Sequence, residues 1–396
     1  MNQILLFIGL VIILCLTIKP VGKKLPFPTL LIFIALGMLL GVNGPAHIDF
    51  SDYALTETVC STALLFIMFY GGFNTNIDRA KPVAVPAVLL STLGVVITAG
   101  ITGVFAHFAL GFDWIDGLLL GSVVASTDAA SVFSVLREHS LSLRGGTDSL
   151  LEVESGSNDP VAYMLTAVLA TLAAGGDINI PALLAKQIIL GVGLGLAIGW
   201  AAGRLIERAH ATAEGAQTIF LFAVAIVAYA LPSYLGGNGF LAVYLAGIVL
   251  GASDITGKVE MAHFFDTLTE MAEMTIFFLL GLLVTPARLP QMLLPSLALM
   301  AFMLFVSRPI AVGVLLAPFK TNPRQVALVS WAGLRGVASV VFGLFAVVAS
   351  VPGGHDLFDL VFVIAVSSIV VQGSLLPAVA KKLDLSLIHI SEPTRH

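Results

Sequence analysis

Charge is what this sequence lacks most. Only 11% of its 396 residues are Asp, Glu, Lys or Arg, against about 25% in soluble globular domains. That scarcity excludes an ordinary water-facing surface, and no nucleic-acid partner is expected. Cysteine is nearly absent as well. Cys15 and Cys60 lie in separate apolar stretches with no CxxC pair, which excludes a disulfide framework and redox chemistry. The first apolar stretch has neither a basic leader nor a small-residue cleavage site, so it reads as a transmembrane helix, not a signal peptide.

What the chain does have is apolar length. Apolar residues make up 58% of it, and its mean hydropathy is +1.01. The class is a polytopic membrane protein whose principal surroundings are the lipid bilayer. Segments of spanning length fall at 3–18, 27–43, 54–72, 84–110, 113–136, 150–174, 182–205, 215–233, 238–253, 265–285, 291–318, 323–350 and 357–380. The expected fold is therefore all-α, with about thirteen transmembrane helices. The segment at 265–285 carries Asp266, Glu270 and Glu273, which are expected at the membrane interface.

Basic residues alternate between loops. One set of loops holds Lys19, Lys23 and Lys24, then Arg79 and Lys81, Arg137 and Arg144, Arg204 and Arg208, Lys258, Lys320 and Arg324, and Lys381 and Lys382. The other set holds only Lys186 and Arg288. Cytoplasmic loops carry the Lys/Arg excess, so the N-terminus is expected outside and the C-terminal side in the cytoplasm. With thirteen spans, spans 1–6 and 8–13 are offset by seven, and equivalent helices cross in opposite directions. That is the arithmetic of an inverted repeat, common in secondary transporters.

Polar residues concentrate in three of these spans. The fifth contains Ser126-Thr127-Asp128-Ala129-Ala130, and the twelfth contains Gly333-Leu334-Arg335-Gly336. These are corresponding members of the two repeats. Each is interrupted by small residues near its middle, the mark of a broken helix lining a cavity. The sixth opens with Glu154-Ser155-Gly156-Ser157-Asn158-Asp159-Pro160. A carboxylate within the membrane costs about 3 kcal/mol on insertion scales, so a chain that retains several has a use for them. Helix rise puts Asp159 ~14 Å into its span, Asp128 ~22 Å past Asp113 and Arg335 ~17 Å past Arg324. All three can reach the middle third of the bilayer. Glu154 sits shallower and reads as a partner for a buried Arg. Arg308 is close enough to its span end to snorkel to the interface. Gly191, Gly195, Gly199 and Gly203 form a small-residue stripe for close helix packing, within one subunit or across a dimer. His107 reads as a polar packing residue.

These motifs, with Ser307-Arg308-Pro309, resemble the monovalent cation:proton antiporter-1 family, and most closely its NhaP/CvrA-type bacterial members. The likeness covers nearly the whole chain. It implies a homodimer in the bacterial inner membrane, in which a mobile core domain moves against a dimerisation domain. It implies Asp159 as the main cation and proton carrier, Ser155 and the Thr127 backbone as cation ligands, and Asp128 assisting. Asn158 is counted with them among the cation- and proton-binding residues and marks the electroneutral branch of the family. The resemblance further implies that Glu154 pairs with Arg308 and that Arg335 stabilises the broken twelfth helix. One departure stands out: relatives often carry an acid just before the Gly-Gly of the third span, and here Tyr70 precedes Gly71-Gly72.

The expected activity is exchange of K⁺ or Na⁺ against H⁺, with cation and proton competing for Asp159 under alternating access. No cofactor is expected beyond the transported ions. A cation channel is the first alternative, but there is no TVGYG filter and the acids sit on helices. An intramembrane diaspartyl protease using Asp128 and Asp159 is the second; its Tyr-Asp and Gly-x-Gly-Asp contexts are missing. Residues 385–395 match the frame translation of a transposase sequencing adapter. The exchanger domain is accordingly expected over 1–384, with 385–396 a non-native tail and a cytosolic C-terminal region missing.

Overall fold

In lipid every backbone N–H and C=O has to be satisfied within the protein, which leaves the helix as the default spanning element. The computed structural model describes all residues except 1, 23–28, 42–43, 45–46, 140, 209–213, 256 and 389–396. Lys23 and Lys24 of the first basic loop, and residues 389–396 of the tail, lie outside the described residues.

The helices run in order as α1 (Asn2–Gly22), α2 (Leu30–Leu40), α3 (Tyr53–Asn74), α4 (Ile77–Leu110), α5 (Trp114–Val123), α6 (Ala129–Glu138) and α7 (Thr147–Ala173). They continue as α8 (Ile180–Arg208), α9 (Glu214–Tyr234), α10 (Gly239–Ala252), α11 (Lys258–Leu283), α12 (Leu289–Phe319), α13 (Pro323–Trp331), α14 (Val337–Val348) and α15 (Gly354–Lys382). Helix overlaps each segment read from the sequence. Among the described residues, six helices are long and apolar enough to cross a membrane by length and composition. The long helices α7 and α11 carry several acids each, and α5, α10 and α14 are short.

Two segments expected as continuous spans are interrupted. Between α5 and α6 the chain is unwound over 124–128, and between α13 and α14 over 332–336. Helices α4 and α12 each carry one π-helical turn, at Leu90–Gly94 and Met303–Ser307. The two breaks fall on segments offset by seven, as do these two π-helical turns, while a third π-helical turn, Ile369–Gly373 in α15, has no counterpart in α7.

Side-chain packing sorts the helices into two groups. In one, α3 packs on α10 and α11, α2 on α11, and α8 and α9 on α10. In the other, α4 packs on α5, α5 on α7, and α12 and α14 on α15. Close approach within the first group depends on glycine. A Cβ added at Gly195 would lie 2.6 Å from the Ala242 carbonyl, and one at Gly199 would lie 3.0 Å from Ala246 Cα. Gly191 and Gly203 face Asn238 and Ser253 of the same chain. The glycine stripe of α8 thus seats α10 within the subunit.

At one end of the molecule the two groups are closed together. Tyr53 of α3 meets His355 and Phe358 of α15 edge-on, at 4.8 and 6.0 Å between ring centroids. Within the second group, Arg288 at the start of α12 bridges to Asp356 and, at 3.4 Å, to Asp359 of α15. At the other end a short antiparallel pair joins β1 (Leu141–Leu143) to β2 (Ser386–Ile388), an addition to the all-α expectation. The Arg144 N–H donates to the Leu385 carbonyl at 2.9 Å beside it.

Candidate functional site

The two unwound segments meet. The Asp128 N–H donates to the Leu334 carbonyl at 2.9 Å, so each supplies a backbone partner that its own helix no longer does. Arg335 is 3% exposed, and its Nη1 donates to the carbonyls of Ala125 and Ser126 at 2.7 and 2.8 Å. Those carbonyls follow the C-terminus of α5, the negative end of a helix dipole, where a guanidinium is favoured. The second unwound segment is held in turn by a π-helical turn in α15, Ile369–Gly373. The Arg335 N–H donates to Ser368 Oγ at 3.0 Å, Ser368 donates to Gln372 Oε1 at 2.5 Å, and Gln372 Nε2 donates to the Trp331 carbonyl at 3.0 Å.

Asp128 begins α6. Its carboxylate accepts the Ser131 N–H at 3.1 Å and the Ser131 hydroxyl at 2.6 Å, which caps the helix. The same carboxylate lies against Gly336, where any Cβ would collide with it. An alanine at 336 would therefore have to push the Asp128 carboxylate aside.

Asp159 reaches the crossing from α7. Its Oδ1 accepts the Ser126 hydroxyl. One turn earlier Ser155 donates to the Thr127 carbonyl at 2.6 Å, and Asn158 Nδ2 donates to Thr127 Oγ1 at 2.6 Å. Ser126, Thr127 and Ser155 are buried, while Asp159 and Asp128 are half-buried. The exposed part of both acids faces a cavity of about 650 Å³, also lined by Ser126, Thr127, Ser155 and Gly336. A hydroxyl has one donor and two lone pairs, and a carbonyl has two lone pairs. Ser155 and the Thr127 carbonyl can therefore keep their mutual bond and each still offer a lone pair to a cation. Asn158 stands behind this oxygen shell. It is fully buried, does not line the cavity and orients Thr127.

Deeper along α7 the path ends in aromatic rings. Tyr163, one turn past Asp159, packs on Phe240 at 4.9 Å, Phe345 at 5.3 Å and Phe342 at 5.9 Å between centroids. Asp159 is thus open to the cavity, with these rings packed one turn further along α7. Pro160 has no N–H to donate one turn back, and its own carbonyl accepts the Asn238 amide of α10 at 2.8 Å.

Glu154 and Arg308 form a separate site. Arg308 Nη2 lies 2.5 Å from Glu154 Oε1, with the side chains 3% and 1% exposed. Arg308 is therefore buried and does not snorkel. It follows the π-helical turn of α12, whose Ser307 donates to the Thr98 carbonyl of α4 at 3.1 Å. His107 stacks on Trp114 at 4.0 Å, with Nδ1 at 2.7 Å from the Phe112 carbonyl, away from the cavity.

Several cavity groups were not anticipated. Asp266, Glu270 and Glu273, expected at the membrane interface, line the cavity, as do Glu152 and Tyr70. The Tyr70 hydroxyl donates to Asp266 Oδ1 at 3.2 Å. The phenol that precedes Gly71-Gly72 is thus bonded to an acid from α11. The spacing of 266, 270 and 273 places them on one helix face. That pattern was legible; which neighbour the face meets was not.

A family model described as the transmembrane sodium/hydrogen exchanger matches residues 9–382. The chain belongs to the sodium/hydrogen exchanger family. The exchanger is 38% identical over 392 residues to the K(+)/H(+) antiporter NhaP2 of Shewanella sp. (strain ANA-3), covering 98% of this chain and 68% of that protein. It is 37% identical over 398 residues to the K(+)/H(+) antiporter NhaP of Alkalimonas amylolytica, covering 99% and 69%. Its fold is similar to that of the sodium proton antiporter MjNhaP1 from Methanocaldococcus jannaschii, with a TM-score of 0.82 at 23% identity over 96% of this chain and 99% of that one. The exchanger is a membrane-embedded cation/proton antiporter, a secondary transporter and not an enzyme.

Proposed function

We propose that the exchanger carries one monovalent cation against one proton by competition at Asp159. The observation that carries this reading is the oxygen shell around that carboxylate. Asp159 ends the cavity beside hydroxyl and carbonyl oxygens, and its sequence neighbour is the amide of Asn158, which cannot titrate. A carboxylate in this setting is neutralised by a proton or by a cation, not by both. Competition at one site with one-sided access gives obligate exchange without any added coupling device.

The bound cation is held by Asp159, Ser155 and the Thr127 carbonyl, with Asp128 assisting from the end of the first unwound segment. Glu154 and Arg308 clamp α7 to α12, and Arg335 holds the crossing open. Alternating access comes from movement of the helix group containing α5, α7 and α14 against the group containing α3 and α10. The cavity opens where α3 ends and α7 begins, the end that the basic loops assign to the cytoplasm. The state described is then inward-facing, in a bacterial inner membrane, with the N-terminus outside. The protein works as a homodimer. K⁺ is the preferred cation, by likeness to relatives named as K(+)/H(+) antiporters.

The test is dissipation of an imposed pH gradient in proteoliposomes, titrated separately with K⁺, Na⁺ and Li⁺. Saturable exchange with the half-saturation concentration lowest for K⁺, and rates indifferent to an imposed membrane potential, is the expected result. Rates that follow the potential at fixed ion gradients would overturn the one-for-one stoichiometry.

A further inference from the structure

Glu57 is an acid of a spanning helix that the exchange scheme does not use. It lies on α3, past the first turn, and the helix start is already capped: Asp52 accepts the Leu55 N–H at 2.9 Å. Glu57 is half-buried, and its Oε1 accepts the Ser61 hydroxyl at 2.8 Å. Among the described residues no base pairs with it, whereas Glu154 has Arg308, and Asp356 and Asp359 share Arg288. An ionisable group kept within a spanning helix is costly and marks an ion path by default.

Its position gives that path a direction. Tyr53, Glu57, Ser61, Leu64, Met68 and Gly71 follow one another at three- and four-residue steps, so they share one face of α3. Leu64, Met68 and Gly71, the inner part of that face, line the cavity. The outer end is Tyr53, which packs on α15 of the other helix group. Glu57 and Ser61 lie between, on the same face but beyond the cavity lining. The wall on α7 is built alike. Glu152, Gly156, Asp159 and Tyr163 share one face; the first three line the cavity, and Tyr163 follows one turn later. Glu57 is close enough for its charge to act on the hydroxyls of Tyr163 and, from α9, Tyr229. Both of those rings pack on Phe240 at 4.9 Å between centroids. An acid, a hydroxyl and two phenols thus gather about one helix turn, or ~6 Å of rise, beyond Asp159.

We propose that Glu57, with the Ser61 hydroxyl, is a second cation-binding site, used in the state open to the outside. Helices α3 and α7 belong to different groups, so movement between the groups parts the two walls. Access then runs along the same two faces from the outer end, and a cation meets Glu57 before Asp159. The Ser61 oxygen has two lone pairs besides the proton it donates, so carboxylate and hydroxyl can hold the ion together. The proposal rests on Asp159 being the exchange site and on the cavity opening to the cytoplasm.

The experiment uses the full chain in right-side-out and everted membrane vesicles, with proton exchange titrated against K⁺ from each face. The variants are Glu57→Gln, Glu57→Asp and Asp159→Asn. Glu57→Gln is expected to raise the half-saturating K⁺ concentration at the outer face about ten-fold, the scale of one charged contact. The inner-face value is expected to stay at wild type. Glu57→Asp keeps the charge on a shorter side chain and is expected to recover part of the loss. A purely structural acid would move both faces together, so an equal shift at both faces, or none at either, would overturn the role of Glu57. A shift confined to the inner face would overturn it as well. Two controls isolate the underlying reading. Retained exchange in Asp159→Asn would overturn the exchange site. Asn74→Cys places a thiol in the cavity lining, while the native Cys15 and Cys60 are buried. Its labelling by an impermeant thiol reagent only in right-side-out vesicles would overturn the orientation.

Discussion

The two unwound segments do the same backbone work with opposite chemistry. Residues 124–128 contribute an acid, Asp128, and a run of carbonyls; residues 332–336 contribute a base, Arg335, and a glycine. Each break leaves helix ends inside the membrane, where a helix C-terminus carries partial negative charge and an N-terminus partial positive charge. Arg335 answers the C-terminus of α5, and Asp128 caps the N-terminus of α6. The pair is complementary through the helix termini. Equivalent positions of the two breaks thus carry an acid that lines the cavity and a base buried against carbonyls. The cavity takes Asp128 and Gly336, while Arg335 stays behind them.

The comparison is broken most severely at the acid that the first segment serves. Asp159→Asn is expected to reduce exchange to the level of protein-free vesicles while leaving purification yield and melting temperature near wild type. Asp128→Asn is expected to leave measurable exchange, because its capping of α6 can be kept by an amide oxygen. Equal activity in the two variants would show that the acids share the load.

Next in size is the clamp. Glu154→Gln leaves the Arg308 charge buried and poorly paired, a change that costs about 3–5 kcal/mol. A large fall in melting temperature in detergent is the readout. The double variant Glu154→Leu with Arg308→Met should recover most of that loss, because it removes both charges together. If it does not, the clamp is more than an ion pair.

Arg335→Met strips charged donors from the Ala125 and Ser126 carbonyls, with hydrogen bonds of this kind worth about 1.5–3 kcal/mol each. Arg335→Lys should recover part of the melting temperature, since one ammonium can reach a carbonyl but lacks the planar fork. The smallest effect is expected for Gly336→Ala. Overpacking costs about 1–3 kcal/mol, and here the added methyl group meets the Asp128 carboxylate. Transport should therefore fall more than stability. An alanine variant with wild-type exchange would show that the close crossing is not required.

Much of the site was legible in the sequence because it is written in short segments. Ser155, Asn158 and Asp159 lie on one helix turn, and the fixed 3.6-residue period makes their relative placement a local property. The same holds for the small residues that mark each break. Legibility ended where a residue's partner sits on another helix. The acids of α11 form a recognisable face, yet composition alone puts them at an interface. Packing of α3 and α11 turns that face into the cavity, and Tyr70 reaches Asp266 across 196 positions of chain. Tyr244, in no motif of the sequence, lines the cavity from α10, and its ring lies beside Gly156 of a different helix.

The sequence by itself determined the solvent of this protein, the helical character of its spans and the family to which it belongs. Scarce charge, long apolar runs and a compact Glu-Ser-x-x-Asn-Asp motif are properties of neighbouring residues, and lipid leaves them few structural options. Only the tertiary structure decided which buried charges are neutralised and which remain available. Arg308 meets Glu154, Arg335 meets carbonyl oxygens, and Asp159 lines the cavity with the Ser126 hydroxyl as its partner. The physical reason is that the cost of a charge in the membrane depends on what surrounds it in three dimensions. Helix periodicity fixes which face a residue occupies, and packing between helices fixes what that face meets.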